Sequence, residues 1–191
     1  MVLADSKTLV TASLDCTVSV WTLTCTSRAA DLQPKKTLFG HGSAVKTLAV
    51  SRSFSALLSA SDDGQVILWD LNKLELVREL SNGKPVDVST QSQSSLRPWL
   101  MIQQCAQIND VTGNILLCCD SEVSVWTLNG ELLIQEDVHV EGDDTISSCA
   151  FFEGDGIDYL ERQLVFTGHQ HGVVNVSLGS FIVGWERLTA Q

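Results

Sequence analysis

Residues 40–70 read GHGSAVKTLAVSRSFSALLSASDDGQVILWD, and the organisation of the whole chain follows from this stretch. Val66 and Leu68 alternate with Ile67 and Trp69, which is the period of a strand with two distinct faces. A second β-prone run, Leu57-Leu58-Ser59, lies just upstream, and Asp62-Asp63-Gly64 between the two is turn chemistry. Residues 57–69 therefore read as a β-hairpin. Residues 45–50 supply a strand before it, and 75–80 one after it, reached through the turn Leu71-Asn72-Lys73. The unit has four strands.

The same phrase recurs along the chain: LVTASLDCTVSVW at 9–21, LLSASDDGQVILW at 57–69, ILLCCDSEVSVW at 115–126 and VFTGHQHGVVNVS at 165–177. In the first three, an Asp (Asp15, Asp63, Asp120) stands six residues before a Trp (Trp21, Trp69, Trp126). Self-similarity at a fixed period is the mark of repeat architectures, in which each unit buries its apolar face against the next. The anchors recur about every 50 residues, against ~40–45 for an unadorned four-stranded propeller blade. Surface loops at 24–35, at 87–99 with its QSQSS run, and in the acidic segment 153–162 are expected to hold the excess. Since no amphipathic helical period exceeds a couple of turns, the expected class is all-β.

Gly40-His41 followed by Trp69-Asp70, with Ser59 and Asp63 between them, resembles the WD40 signature. The fold implied is a partial WD40 β-propeller of about three to four four-stranded blades. It would be an open fragment of a seven-bladed ring, since about seven blades need ~280 residues. Expected blades are 1–39, 40–80, 84–135 and 140–178, with an atypical C-terminal tail at 177–191. The resemblance also implies a buried chain of hydrogen bonds through Trp69, Ser59, His41 and Asp63. Such a chain makes physical sense, because a buried indole, imidazole or carboxylate is costly unless partnered. The other blades keep parts of the set. Thr11, Asp15 and Trp21 stand in the first, and Asp120 and Trp126 in the third, where Leu116 replaces the hydroxyl residue. Thr167 stands in the fourth, with His171 at the Asp position. A hydrolase triad of Ser59, His41 and Asp63 is the competing reading; a mid-strand hydroxyl without a nucleophile elbow argues against it.

With 44% apolar residues in 191, the chain has material for one good-sized core or two small ones. No apolar run approaches the ~20 residues of a membrane-spanning helix, and MVLADSKTLV is not a signal peptide. A cytoplasmic protein peripheral to endomembranes, without direct membrane insertion, is expected. A formal charge of −11 repels phosphate backbones, so no nucleic-acid partner is expected. Arg28, Lys35 and Lys36 form the single basic cluster and read as a solvated loop. The six cysteines show no CxxC pair and read as small buried hydrophobes in a reducing compartment. His169 and His171 read as turn residues beside Gly172 rather than as metal ligands. The acidic runs at Glu141 and Glu153 lack EF-hand spacing. A sequon at Asn175 has no signal peptide to expose it to glycosylation. No catalytic residue, metal or cofactor is expected.

The longer passage LFGHGSAVKTLAVSRSFSALLSASDDGQVILWDLNKLELVREL (38–80) is similar to the propeller of beige-type BEACH-domain proteins. INDVTGNILL (108–117) and FFEGDGIDYLERQLVFTGH (151–169) also resemble that family, its fungal members in particular, and the likeness runs roughly over 1–176. It implies a non-catalytic scaffold for protein–protein interaction, acting in vesicle trafficking and in lysosome or vacuole biogenesis. Implied partners are other proteins and the PH-like and BEACH domains of a full-length parent chain, neither of which lies in these residues. The expected interaction face comprises Leu14, Asp15, Gly42, Ser43 and Asp62. Two other readings stand beside it: a WD40 subunit of an unrelated nuclear or ubiquitin-ligase complex, and a small metal-binding protein or enzyme. After Val176 the repeat breaks, with Ser177 where a Trp is expected. A diverged last blade with Trp185 as a displaced anchor, and translation across an intron boundary, are both open; either way, no fourth strand is recognisable in the tail.

Overall fold

A computed structural model describes residues 1–25, 29–80, 103–138, 145–153, 163–170, 172–180 and 184–189. Among them are sixteen strands and no helix, arranged as four antiparallel four-stranded sheets. The chain divides into two compact units, Met1–Gln103 and Gln104–Gln191.

In the first unit, β1 (Val2–Leu3), β2 (Thr8–Ala12), β3 (Thr17–Cys25) and β4 (Ala30–Phe39) form one sheet, in chain order. A second follows in the same way from β5 (Val45–Ser51), β6 (Ala56–Ser61), β7 (Val66–Asp70) and β8 (Glu75–Leu80). Burial falls toward the last strand. All six residues of β6 are buried, whereas β8 is exposed up to Leu80 and carries Glu75, Arg78 and Glu79. A strand buried on both faces needs a continuous apolar run, while a charged edge discourages pairing with another chain. One core joins the two sheets, with Val10, Val18 and Val20 meeting Leu57, Ile67 and Trp69. Each fully buried side chain of this kind stabilises the fold by about 1.5–3 kcal/mol. Polar contacts reinforce the junction. The Val45 N–H donates to the Ser13 carbonyl at 3.1 Å, and Lys36 Nζ donates to the Leu74 carbonyl at 2.8 Å.

The second unit repeats the plan. Its sheets comprise β9 (Gln103–Ile108), β10 (Ile115–Cys119), β11 (Glu122–Trp126) and β12 (Leu132–Asp137), then β13 (Ile146–Glu153), β14 (Gln163–His169), β15 (Val174–Ser180) and β16 (Gly184–Thr189). Leu116, Cys118, Val123, Val125, Ile146 and Val165 form the shared core. Backbone bonds recur as well: Asp62 N–H to the Ala44 carbonyl in the first unit matches Gln170 N–H to the Thr145 carbonyl in the second, at 2.9 and 3.0 Å.

Each anchor Trp marks a break in register with the last strand of its sheet. The shifts fall between Val20 and Trp21, Leu68 and Trp69, and Val125 and Trp126. Each inserts one residue into the outer strand, as a β-bulge does. Where Ser177 replaces the Trp, β15 and β16 pair without a shift from Asn175↔Thr189 to Ser180↔Gly184. Trp21 lies opposite Pro34, and an edge strand beside a bulge is where a proline can sit without cost to the ladder. The hairpin turns also share geometry. Gly64 has φ 82° and Gly172 φ 82°; Cys16, at the same position of the first turn, has φ 69°, a left-handed conformation that costs a side-chain-bearing residue about 1–2 kcal/mol.

Several expectations need correction. Residues 24–35 are not an inserted loop, because Thr24 and Cys25 close β3 and residues 30–35 open β4, lengthening that hairpin. Lys35 and Lys36 consequently lie on a strand, and Lys36 is spent on the second sheet; Arg28 lies outside the described residues. The tail does supply a fourth strand, since β15 continues through Ser177 and β16 pairs with it. Trp185 lies in that last strand, opposite Gly179. The segments 87–99 and 154–162, and the acidic run at Glu141, lie outside the described residues.

Candidate functional site

The residues singled out around Trp69 converge at the end of the second sheet. Ser59 on β6 and Trp69 on β7 stand near one another because the hairpin register sets Leu57 opposite Trp69 and Ser59 opposite Ile67. Glycine at position 40 gives the indole room, since a Cβ there would crowd its Cη2 at 3.1 Å and Ile67 Cδ1 at 3.2 Å. The next residue, His41, is thereby brought against the ring, with centroids 6.4 Å apart.

The hydrogen bonds run in one direction. Trp69 Nε1–H donates to Ser59 Oγ at 2.7 Å, and Ser59 Oγ lies 2.6 Å from His41 Nε2. His41 Nδ1 is 3.0 Å from Ser61 Oγ, which donates to Asp63 Oδ1 at 2.6 Å. With Ser61 donating to Asp63, its oxygen accepts from His41 Nδ1, and a neutral ring then accepts at Nε2. Ser59 accepts from Trp69 and donates to Nε2. His41 is then the neutral tautomer with its proton on Nδ1, donating to Ser61. The link from His41 to Asp63 thus passes through Ser61, which sequence reasoning missed. Ser61 is two residues after Ser59 and so on the same face of the strand, a signal that was available.

Burial and charge agree with this assignment. His41, Ser59, Ser61 and Trp69 are buried, but Asp63 is exposed, so the chain ends at the surface rather than in the core. Burial pushes the His41 imidazole below its usual 6.5, only partly opposed by the Asp63 carboxylate. For Asp63, burial acts to raise the carboxyl, but the Ser61 hydroxyl and the Gln65 N–H outweigh it and hold it below 3.8. Asp70 does separate work, accepting the Asn72 and Lys73 N–H groups at 2.7 and 3.1 Å and closing the turn into β8. Ser59 Oγ lies buried mid-strand between the Trp69 N–H and His41 Nε2.

The other sheets hold pieces of the arrangement. In the first, Trp21 Nε1–H donates to Thr11 Oγ1 at 2.9 Å, and Asp15 Oδ1 accepts from the Thr17 N–H and hydroxyl at 3.0 and 2.7 Å. In the third, where Leu116 offers no hydroxyl, Trp126 Nε1–H turns to Ser124 Oγ on its own strand at 3.0 Å. Asp120 there occupies the turn, with φ 51°. In the fourth, Thr167 Oγ1 and Asn175 Nδ2 both lie 3.2 Å from His169 Nε2, and all three residues are buried. His169 is therefore a core residue ending β14 rather than a turn residue, and the sequon side chain at Asn175 is buried; His171 lies outside the described residues.

The cysteines depart from the expected pattern. All six are free thiols, but only Cys118 is buried; Cys25 is exposed and the remaining four are half-buried. Cys105, Cys118 and Cys149 bring their Sγ atoms within 4.8 Å of one another, and among the described residues they form the group that could hold a metal. Thiol donors from Cys118 and Cys149 hold Cys105 well below the usual thiol range, at about 4, while Cys118 and Cys149 are pushed up by their contacts with Cys105. Burial, with Asp120 and Glu122 nearby, pushes Cys119 up to about 12.

Known proteins bear on the arrangement. The family "WD domain, G-beta repeat" matches residues 2–22 and 32–70. These residues are thus WD40 repeats. Over most of its length the chain is similar to beige-like BEACH-domain proteins. It is 29% identical over 180 residues to beige protein homolog 1 of Schizosaccharomyces pombe, covering 92% of this chain and 6% of that protein. It is 33% identical over 175 residues to BEACH domain-containing protein A2 of Arabidopsis thaliana, covering 90% and 4%. The human lysosomal-trafficking regulator is 29% identical over 182 residues, covering 90% and 4%. The chain spans only a small part of each relative's length.

Two predictions follow from the directional chain. Ser59→Ala orphans both the Trp69 N–H and His41 Nε2, each worth about 1–3 kcal/mol when buried and unpaired. Thr11→Ala orphans one indole at a half-buried site, so urea unfolding should show a clearly larger loss for Ser59→Ala; equal losses would contradict the chain. The pH dependence comes from His41, whose folded-state pKa lies below 6.5. Its contribution is complete above the unfolded value and is lost as pH falls through the folded one. The unfolding midpoint should therefore drop on acidification from neutral pH toward about 5, and drop less in His41→Asn. A midpoint that rises on acidification would show the imidazole to be charged.

Proposed function

We propose that this chain is a non-catalytic protein-interaction module, the WD40 part of a BEACH-type scaffold acting in vesicle trafficking and in lysosome or vacuole biogenesis, cytoplasmic and peripheral to endomembranes. The observation that carries the reading is an exposed apolar edge of the first unit beside a buried, hydrogen-bonded polar cluster. Leu14 and Phe39 are each 74% exposed there. Register places Phe39 opposite Thr17, next to the turn that holds Leu14 and Asp15. Gly42 is exposed, and a Cβ on it would lie 3.7 Å from Asp63 Oδ2, so the loop before β5 adjoins the second turn. Ser43 and Asp62 are half-buried, and Asp62 pairs with Lys46 at 3.3 Å.

Two large apolar side chains among carboxylates suit a partner segment with apolar residues flanked by basic ones. The similarity to a protein named as a regulator of lysosomal trafficking supports the cellular role. No helix among the described residues is long and apolar enough to cross a membrane.

The test is a titration of a partner recovered with the wild-type chain and then purified. Replacing Leu14 and Phe39 together by Ser should weaken binding at least tenfold while the unfolding midpoint holds, and Ser59 should stay unlabelled by reagents that acylate or phosphonylate active serines. Undiminished binding by the double variant would overturn the assigned face, and labelling of Ser59 would overturn the non-catalytic reading.

A further inference from the structure

We propose that Cys105, Cys118 and Cys149 form a three-thiolate site for a soft d¹⁰ cation, zinc(II) or copper(I), which ties β13 to the neighbouring sheet through β9 and β10. The inference is independent of the interaction face. It rests on where three strands bring their sulfurs: Cys105 lies on β9, Cys118 on β10 and Cys149 on β13, with all three Sγ atoms within 4.8 Å of one another. A metal–sulfur bond of about 2.3 Å sets sulfurs about 3.8–4.0 Å apart in tetrahedral or trigonal geometry, so closure around an ion needs less than about 1 Å of movement.

Cys118 belongs to the apolar core and Cys105 and Cys149 pack against it. Carbon contact alone does not require sulfurs to meet, and here the three Sγ atoms converge as well. Accessibility is graded in a way that suits a ligand site. Cys118 is fully buried in the core of the second unit, whereas Cys105 and Cys149 are half-buried and give a cation its way in. Cys119, the next residue on β10, faces the other way by strand alternation, so among the described residues the set is three sulfurs. Sulfur-only ligation selects copper(I) and zinc over hard cations such as magnesium or calcium. On binding, the cation displaces the thiol protons, which pass to the buffer.

The experiment uses the whole chain, purified anaerobically under a non-chelating phosphine reductant. Zinc(II) and copper(I) are titrated separately against chromophoric chelators, and cobalt(II) reports the ligands by its thiolate charge-transfer band. One equivalent per chain of either cation is expected, with affinity falling at least tenfold in Cys105→Ser and in Cys149→Ser and unchanged in Cys16→Ser and Cys119→Ser. Since a variant can lose metal by losing its fold, wild-type protein is also alkylated with iodoacetamide and mapped by peptide. The cation should protect the half-buried Cys105 and Cys149 together while leaving Cys25 reactive. Failure of both cations to bind stoichiometrically, binding that survives replacement of Cys105 and Cys149 together, or equal alkylation with and without cation would each overturn the site.

Discussion

A buried indole N–H has one proton to give and must find somewhere to give it, and the second sheet is organised around the answer. Trp69 passes its bond to Ser59, Ser59 to His41, His41 to Ser61, and Ser61 to a carboxylate at the surface. Each of the three groups between the indole and the carboxylate both receives and donates within it, so the series has a single polarity. Slipping β7 by one residue against β6 would send Trp69 to the opposite face and strand every partner at once. The penalty for unpaired polar groups in a low-dielectric interior thereby becomes a device that selects one register. Because His41 belongs to the loop before β5, the same series also fixes how the chain enters the sheet.

The Trp residues impose a second constraint. At Trp21, Trp69 and Trp126 the ladder to the outer strand shifts, and where Ser177 stands at the corresponding position the ladder runs through. Loss of the anchor in the fourth sheet therefore removes the bulge without removing the strand. Polar cores adapt in the same manner. With Leu116 unable to accept, Trp126 uses Ser124; with His169 two residues beyond Thr167, the fourth sheet builds a buried imidazole contact from the opposite side of the hairpin, through Asn175.

What the sequence disclosed followed from periodicity. Hairpins, turn residues and the spacing from Gly40-His41 to Trp69-Asp70 are local, and the WD40 class read from them agrees with the family match at 2–22 and 32–70. Readings keyed to the anchor Trp failed where the anchor was missing. GWERLT carries no repeat signature, yet an outer strand needs only backbone groups to pair, so β16 forms. Residues 30–35, all exposed, read as part of a loop at 24–35 for the same reason: an edge strand over solvent has no apolar face to betray it. Ser61 and Ser124 were legible in principle, each two residues from a recognised position. The cysteine cluster was not, because Cys105, Cys118 and Cys149 meet only through tertiary packing and share no sequence spacing.

The central claim is the direction of the hydrogen-bonded series, and nitrogen NMR of the His41 imidazole tests it most directly. At neutral pH the account predicts a neutral ring with the proton on Nδ1, slow to exchange, and an Nε2 resonance characteristic of an acceptor. A proton on Nε2, or an imidazolium carrying both, would contradict it, for Ser59 would then face two donors and the series from Trp69 to Asp63 could not run as described.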